Sequence, residues 1–188
     1  MIELQPGDWV DFEVSYLEMP SPPPEPPKPL PEGTQVIEIT EAKTDTFMRF
    51  YEAVGAEYEW TDKLAQPREE VEAFIEHPER ALFVLLDQQG AEAGFCLLDF
   101  AKPPIGDLAY FGLLPSAIGK GFGRAWLELA VAKLWADKRV QKITINTCTL
   151  DHPRALPLYK SVGFQFSRKL WATRQLTQPR TMLIQRSP

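Results

Sequence analysis

The chain has 188 residues, of which 44% are hydrophobic and 24% charged. That balance supports one core of ordinary size and excludes disorder throughout. The longest clean apolar run, Ala81 to Leu86, is far short of the ~20 residues a bilayer span needs. Two cysteines, Cys96 and Cys148, are too few for a disulfide framework or a zinc site, so no metal is expected. The first residues show no basic stretch followed by an apolar one, and a reducing cytoplasm is the expected location. The net charge of −6 argues against nucleic acid as the main partner. It is unevenly spread: residues 1–100 carry 22 acidic and 6 basic side chains, and residues 101–188 carry 4 and 14. A basic half suits an anionic, phosphorylated cosubstrate and an acidic half a cationic amine; solvated surface accounts for both as well.

In chain order, Trp9 to Met19 alternates apolar and polar positions and predicts a strand. Pro20 to Pro31 then holds eight prolines in twelve positions, a run that cannot donate to a ladder and favours extended geometry. It reads as a surface spacer or as a docking segment for a proline-reading partner. Thr34 to Ile39 predicts a second strand. Phe47, Phe50, Tyr51 and Val54 recur at helical spacing, placing a helix over Thr44 to Val54 with Gly55 as its stop. A shorter helix is predicted from Pro67 to His77. Strands follow at Ala81 to Leu86 and Ala93 to Phe100, joined by a turn at Asp87-Gln88-Gln89-Gly90, and at Asp107 to Leu114. Leu127, Ala130, Val131 and Leu134 mark the apolar stripe of a helix opened by Gly119-Lys120-Gly121-Phe122-Gly123. A strand at Gln141 to Cys148 and a helix from Pro153 to Val162 come next, with Gly163 as a left-handed cap. Phe164 to Thr173 and Thr181 to Gln185 are expected to close the sheet. The order is α+β, one three-layer α/β/α domain with one strand–helix–strand crossover.

The glycine run lies between a strand and a helix, where free helix N–H groups and the helix dipole favour an anion. Lys120 and Arg124 add positive charge. Neither the P-loop nor the Rossmann pattern fits these residues, and a tight turn is the plain alternative. The run Leu113-Leu114-Pro115-Ser116-Ala117-Ile118-Gly119-Lys120-Gly121-Phe122-Gly123-Arg124 resembles the [Q/R]-x-x-G-x-[G/A] loop of the GNAT superfamily of acetyl-CoA-dependent N-acyltransferases. About thirty residues on, Asp151 to Phe164 resembles that superfamily's A-x-x-L-Y-x-x-x-G-F segment through Ala155, Leu158, Tyr159, Gly163 and Phe164. Close resemblance covers residues 107–166. It departs at Ile118, where the signature has Gln or Arg, at His152, where asparagine is frequent, and at Pro157, which removes one helix hydrogen bond.

The resemblance implies a mixed, mostly antiparallel twisted sheet flanked by helices. Residues 34–188 would form the acetyltransferase domain and residues 1–33 an N-terminal strand and proline-rich arm. It implies acetyl-CoA as cosubstrate, held by Leu113, Leu114, Ile118, Gly119, Lys120, Gly121, Phe122, Gly123, Arg124, His152 and Tyr159, with an amide near Leu113 as oxyanion donor. Tyr159 aligns with the general acid that protonates the departing thiolate, or packs as a core tyrosine. Asp107 is the candidate base, and Asp99 an alternative; either also suits a solvated strand end. Tyr51, Trp60 and Tyr110, with Tyr58, are candidates for an aromatic wall around a small-molecule or protein amine. Glu57, Glu59 and Asp62 would supply a negative field. Cys148 reads as an inert buried thiol. A non-catalytic CoA-binding sensor is the competing reading. The N-terminal strand and arm are long enough to reach a second copy in a homodimer.

Overall fold

A computed structural model describes residues 2–182. After a short strand, β1 (Ile2–Leu4), comes β2 (Trp9–Met19), whose Val10, Phe12, Leu17 and Met19 are buried. The proline run forms no helix or strand and leads to β3 (Gln35–Ile39). The predicted aromatic helix is α1 (Lys43–Gly55), and its Phe47, Phe50, Tyr51 and Val54 are all buried. Next come α2 (Arg68–Ile75), β4 (Arg80–Leu86), β5 (Glu92–Lys102) and β6 (Ile105–Leu113). The glycine run opens α3 (Phe122–Ala136), followed by β7 (Lys142–Cys148) and α4 (Ala155–Val162). Then β8 (Gln165–Gln175) and β9 (Arg180–Met182) follow.

The main sheet runs β3-β4-β5-β6-β7-β2-β8. Its neighbours are antiparallel except β6 and β7, which pair in parallel across the α3 crossover. Helices lie on both faces. Phe47, Phe50 and Val54 of α1, with Val71 and Ile75 of α2, pack on Leu82, Val84, Phe95 and Leu97. On the other face Trp126, Leu127, Ala130 and Leu134 of α3 pack on Cys96, Leu98, Leu108 and Ile143. Because β5 is covered on both sides, its residues Ala93 to Leu98 read as one apolar run rather than an alternation. The proline arm passes over α3. There the Lys28 amide donates to Glu128 Oε2 at 2.8 Å, and Leu30 packs against the core.

Two expectations are adjusted. The segment from Thr181 does not close the main sheet: Arg180–Met182 pairs with β1 in a separate two-stranded ribbon. Residues 183–185 of that predicted strand lie outside the described residues. Pro157 does not disturb its helix. It sits in the first turn of α4, where an N–H has no intrahelical partner, and the Leu158 amide donates to Arg154 O at 3.0 Å. Gly163 caps α4 with φ +114°, as its position predicts.

Candidate active site

The site begins where β6 and β7 separate. They pair from Ile105↔Lys142 to Asp107↔Thr144 and no further. In β6 the next residues carry a bulge at Ala109: Leu97 faces Tyr110 and Leu98 faces Leu108. A bulge bends its strand and increases its twist. Here the bent part, Tyr110 to Leu113, stays on β5, whereas β7 follows β2. Backbone edges left without a partner strand need another hydrogen-bond partner. The Leu114 amide donates to Ala93 O at 2.8 Å. Successive amides of a strand point to opposite edges, so the Leu113 amide is directed into the gap. At Gly112 the helix α1 comes so close that a Cβ would stand 2.5 Å from Val54 Cγ1. The gap opens into a cavity of about 1000 Å³.

One end of the cavity is the glycine loop. Gly119 and Gly121 have φ of +82° and +88°, and nothing lies within 4 Å of where their Cβ atoms would stand. Gly121 is the N-cap of α3, so the first amides of that helix lack intrahelical acceptors beside bare backbone. This is a fit for a diphosphate: donors and a positive dipole end, with no side chain in the way. Ile118 lines the same end, as does Arg124, whose guanidinium is held by Glu128 Oε1 at 2.7 Å and Ser161 O at 3.1 Å. Among the described residues no group of His, Cys, Asp and Glu is placed to hold a metal ion.

Tyr159 lines the middle of the cavity from α4, between the rings of Phe111 at 6.4 Å and Phe164 at 6.2 Å. Burial first, and the Asp151 charge second, push its phenol well above the usual range, so the hydroxyl keeps its proton at neutral pH. At the far end the three candidates for an aromatic wall, Tyr51, Trp60 and Tyr110, pack together with ring centroids 5.5–5.8 Å apart. Tyr51 also belongs to the α1 core, and its oxygen accepts from the Lys63 amide at 3.2 Å. Burial raises the phenols of Tyr51 and Tyr110.

Other predicted residues fall elsewhere. Asp107 sits at the closed vertex of the split, accepts from the Thr144 hydroxyl and is not among the cavity's lining residues. Burial raises its carboxyl, more than the Thr144 bond lowers it. Asp99 is likewise committed, in an ion pair with Arg80 at 2.7 Å. Leu114, Lys120 and Phe122 flank the lining residues without joining them, and Phe122 is buried in the core. Of the expected negative field, Glu57 is not a lining residue, Asp62 is paired with Arg174 at 3.0 Å, and Glu59 is buried against Thr177. His152 lines the cavity beside Tyr58, with ring centroids 6.2 Å apart. Cys148 lines it too; burial and then Asp151 push its thiol up to about 11, so it is protonated.

The structure adds residues that the sequence did not single out: Asp151, Asn146, Arg174, and Phe12, Val14 and Tyr16 of β2. Asp151 stood in plain view four positions after Thr147. It accepts from the Thr147 hydroxyl at 2.7 Å and from Trp60 Nε1 at 3.0 Å, and the latter tie spans 91 residues and has no sequence signal.

Residues 44–164 match the family model described as Acetyltransferase (GNAT) family. The chain belongs to that family. No curated protein matches it by sequence. Among solved structures it is similar to a GCN5-related N-acetyltransferase from Sphaerobacter thermophilus, with 15% identity and a TM-score of 0.59, over 92% of this chain and 54% of that one. A tandem GNAT protein from the clavulanic acid biosynthesis pathway gives 15% identity and 0.58, over 91% of this chain and 55% of that one. An aminoglycoside acetyltransferase from an uncultured soil metagenomic sample gives 14% and 0.54, over 70% and 88%. At these identities the likeness is one of fold, and the GNAT chain spans about half the length of the first two. No helix among the described residues is long and apolar enough to cross a membrane.

Proposed function

We propose that this GNAT protein transfers the acetyl group of acetyl-CoA to a primary amine by direct attack within a ternary complex. The observation that carries the reading is the split between β6 and β7, which opens a cavity joining the glycine loop, Tyr159 and the aromatic wall. Gly119, Gly121 and the first amides of α3 are the donors for the diphosphate, and Arg124 adds charge beside them. The bound thioester supplies the activated acyl carbon. The Leu113 amide is positioned to donate to developing negative charge on an acyl oxygen. Tyr159, kept protonated by burial, gives its proton to the leaving sulfur, and the proton that the nitrogen sheds as the amide forms returns to the tyrosine oxygen. The walls of Tyr51, Trp60 and Tyr110 keep water from the acceptor amine.

The test is thiol release from acetyl-CoA with a panel of primary amines, for wild type and Tyr159→Phe. The variant is expected to lose about 10²-fold or more in kcat with unchanged acetyl-CoA affinity by calorimetry. An unchanged kcat removes Tyr159 from the reaction. Tight acetyl-CoA binding with no thiol release across the panel supports the non-catalytic sensor instead.

A further inference from the structure

Three carboxylates line the acceptor side of the cavity: Glu59, Asp62 and Asp151. They differ in what compensates them. Glu59 is 1% exposed, and its oxygens accept from the Thr177 amide and hydroxyl. Asp62 is paired with Arg174, which cancels its charge. Asp151 accepts from Trp60 Nε1 at 3.0 Å, Thr147 Oγ1 at 2.7 Å and the Cys148 amide at 2.9 Å. All three donors are neutral. Among the described residues Asp151 takes part in no ion pair. Its negative charge is therefore held in place at the cavity wall with no ion-pair partner in contact, Arg174 lining the same cavity and Arg180 donating to the neighbouring Leu150 carbonyl. Among the described residues Oδ1 receives only the indole N–H, and a carboxylate oxygen has room for a second donor.

The surroundings fit a cation on an apolar body. Trp60 bonds Asp151 through its ring nitrogen while its ring meets those of Tyr51 and Tyr110. Tyr159 lines the same cavity and feels the Asp151 charge. We propose that Asp151 seats the ammonium group of the acceptor, and that the acceptor is a primary amine carried on an apolar, ring-bearing body. In acyl transfer the same carboxylate accepts one ammonium proton. The N–H bond breaks, its electron pair stays on nitrogen for attack, an O–H bond forms on Asp151, and the proton later passes to water. The binding part stands by itself; only the proton step rests on the proposed acetyl transfer.

The probe is phenethylamine, compared with phenethyl alcohol, its uncharged counterpart. Each is titrated into the isotope-labelled 188-residue protein while the Trp60 indole N–H resonance, identified by its loss in Trp60→Phe, is followed. Wild type is expected to bind the amine about tenfold or more tightly than the alcohol, with the Trp60 signal shifting on saturation. Asp151→Asn is expected to erase that margin and leave alcohol binding unchanged. Thr147→Val, which keeps the carboxylate, is expected to retain the margin, and the wild-type comparison stands without any variant. Equal binding of the two probes by wild type, a margin kept in Asp151→Asn, or a silent Trp60 resonance overturns the assignment. Acetyl-CoA calorimetry runs alongside. A missing margin with acetyl-CoA bound overturns the Asp151 site alone; a margin present with no acetyl-CoA binding overturns the proposed acetyl transfer alone.

Discussion

At Gly112 the strand that lines the cleft meets the helix that covers it, and the contact can be priced. A methyl placed there would stand 2.5 Å from Val54 Cγ1 and 3.5 Å from Val54 Cβ. Carbon atoms pack at about 3.5–4.0 Å, so the overlap with Cγ1 is about 1 Å or more. Neither side yields easily: Gly112 is paired with Phe95, and Val54 is 4% exposed in a helix locked by Phe47, Phe50 and Tyr51. Gly112→Ala should therefore cost about 1–3 kcal/mol by overpacking. Val54→Ala removes the offending methyls and should cost about 2 kcal/mol, from lost burial and the space left behind. In the double variant the new methyl fills that space and meets only the residual Cβ at ordinary contact distance. Its loss should fall short of the two single losses combined by about 1–3 kcal/mol. Urea unfolding of the four proteins with a common m-value measures this. Losses that add to within about 0.5 kcal/mol would show that helix and strand do not share this space, and the close approach would be wrong.

Two further variants test the cleft's vertex and its glycine loop. Asp107 has a carboxyl raised above 3.8, with burial the main cause, so its contribution to stability is present at low pH and lost as pH rises through the folded value. Asp107→Asn, which keeps an acceptor for Thr144, should be more stable than wild type at pH 7, by a margin that shrinks as pH falls toward 3.8; equal urea midpoints at pH 7 would contradict this. Gly121→Ala forces a methyl-bearing residue to φ +88° at the start of α3 and should cost about 1–2 kcal/mol despite the open space, while Gly121→Asn should cost less. Thermal unfolding that ranks Asn below Ala would refute the strain argument.

The elements were legible because each carries its own periodicity. The stripe Phe47, Phe50, Tyr51 and Val54 buries itself wherever α1 is placed, and Gly163 needs a positive φ whatever follows it. The glycine loop and the segment around Tyr159 were legible as motifs, since backbone access and helix spacing are local properties. Neighbours were not legible. Alternation in Trp9 to Met19 says which side chains share a face, and nothing about which strands lie on either side. The same holds for Asp151 and Asp107: the sequence shows one as a loop carboxylate after β7 and the other as a strand carboxylate, and only the fold shows the first at the cavity wall and the second at the vertex. The bulge at Ala109, which opens the cleft, has no glycine to announce it.

The position of β2 has a consequence for how much of the chain the site needs. It pairs with β7 from Val14↔Cys148 to Met19↔Ile143, and with β8 from Trp9↔Gln175 to Glu18↔Gln165. Among the described residues β8 has no other partner in the main sheet. The strand also buries Val10, Phe12, Leu17 and Met19, and lines the cavity with Phe12, Val14 and Tyr16. Burying four such side chains contributes about 6–12 kcal/mol, comparable with the about 5–15 kcal/mol by which a whole domain is stable. Removal of residues 1–33 should therefore abolish cooperative unfolding, even though the motifs at 119–123 and 151–164 remain in the chain. Because the main sheet loses one strand with two waiting edges, while β1 and the proline arm go with it, a synthetic peptide spanning Trp9–Met19 should restore part of the native near-ultraviolet circular dichroism when added in excess. A shortened chain that melts cooperatively on its own would mean that β7 and β8 close on each other without the insert. The first twenty residues would then be an addition to the site rather than part of its floor.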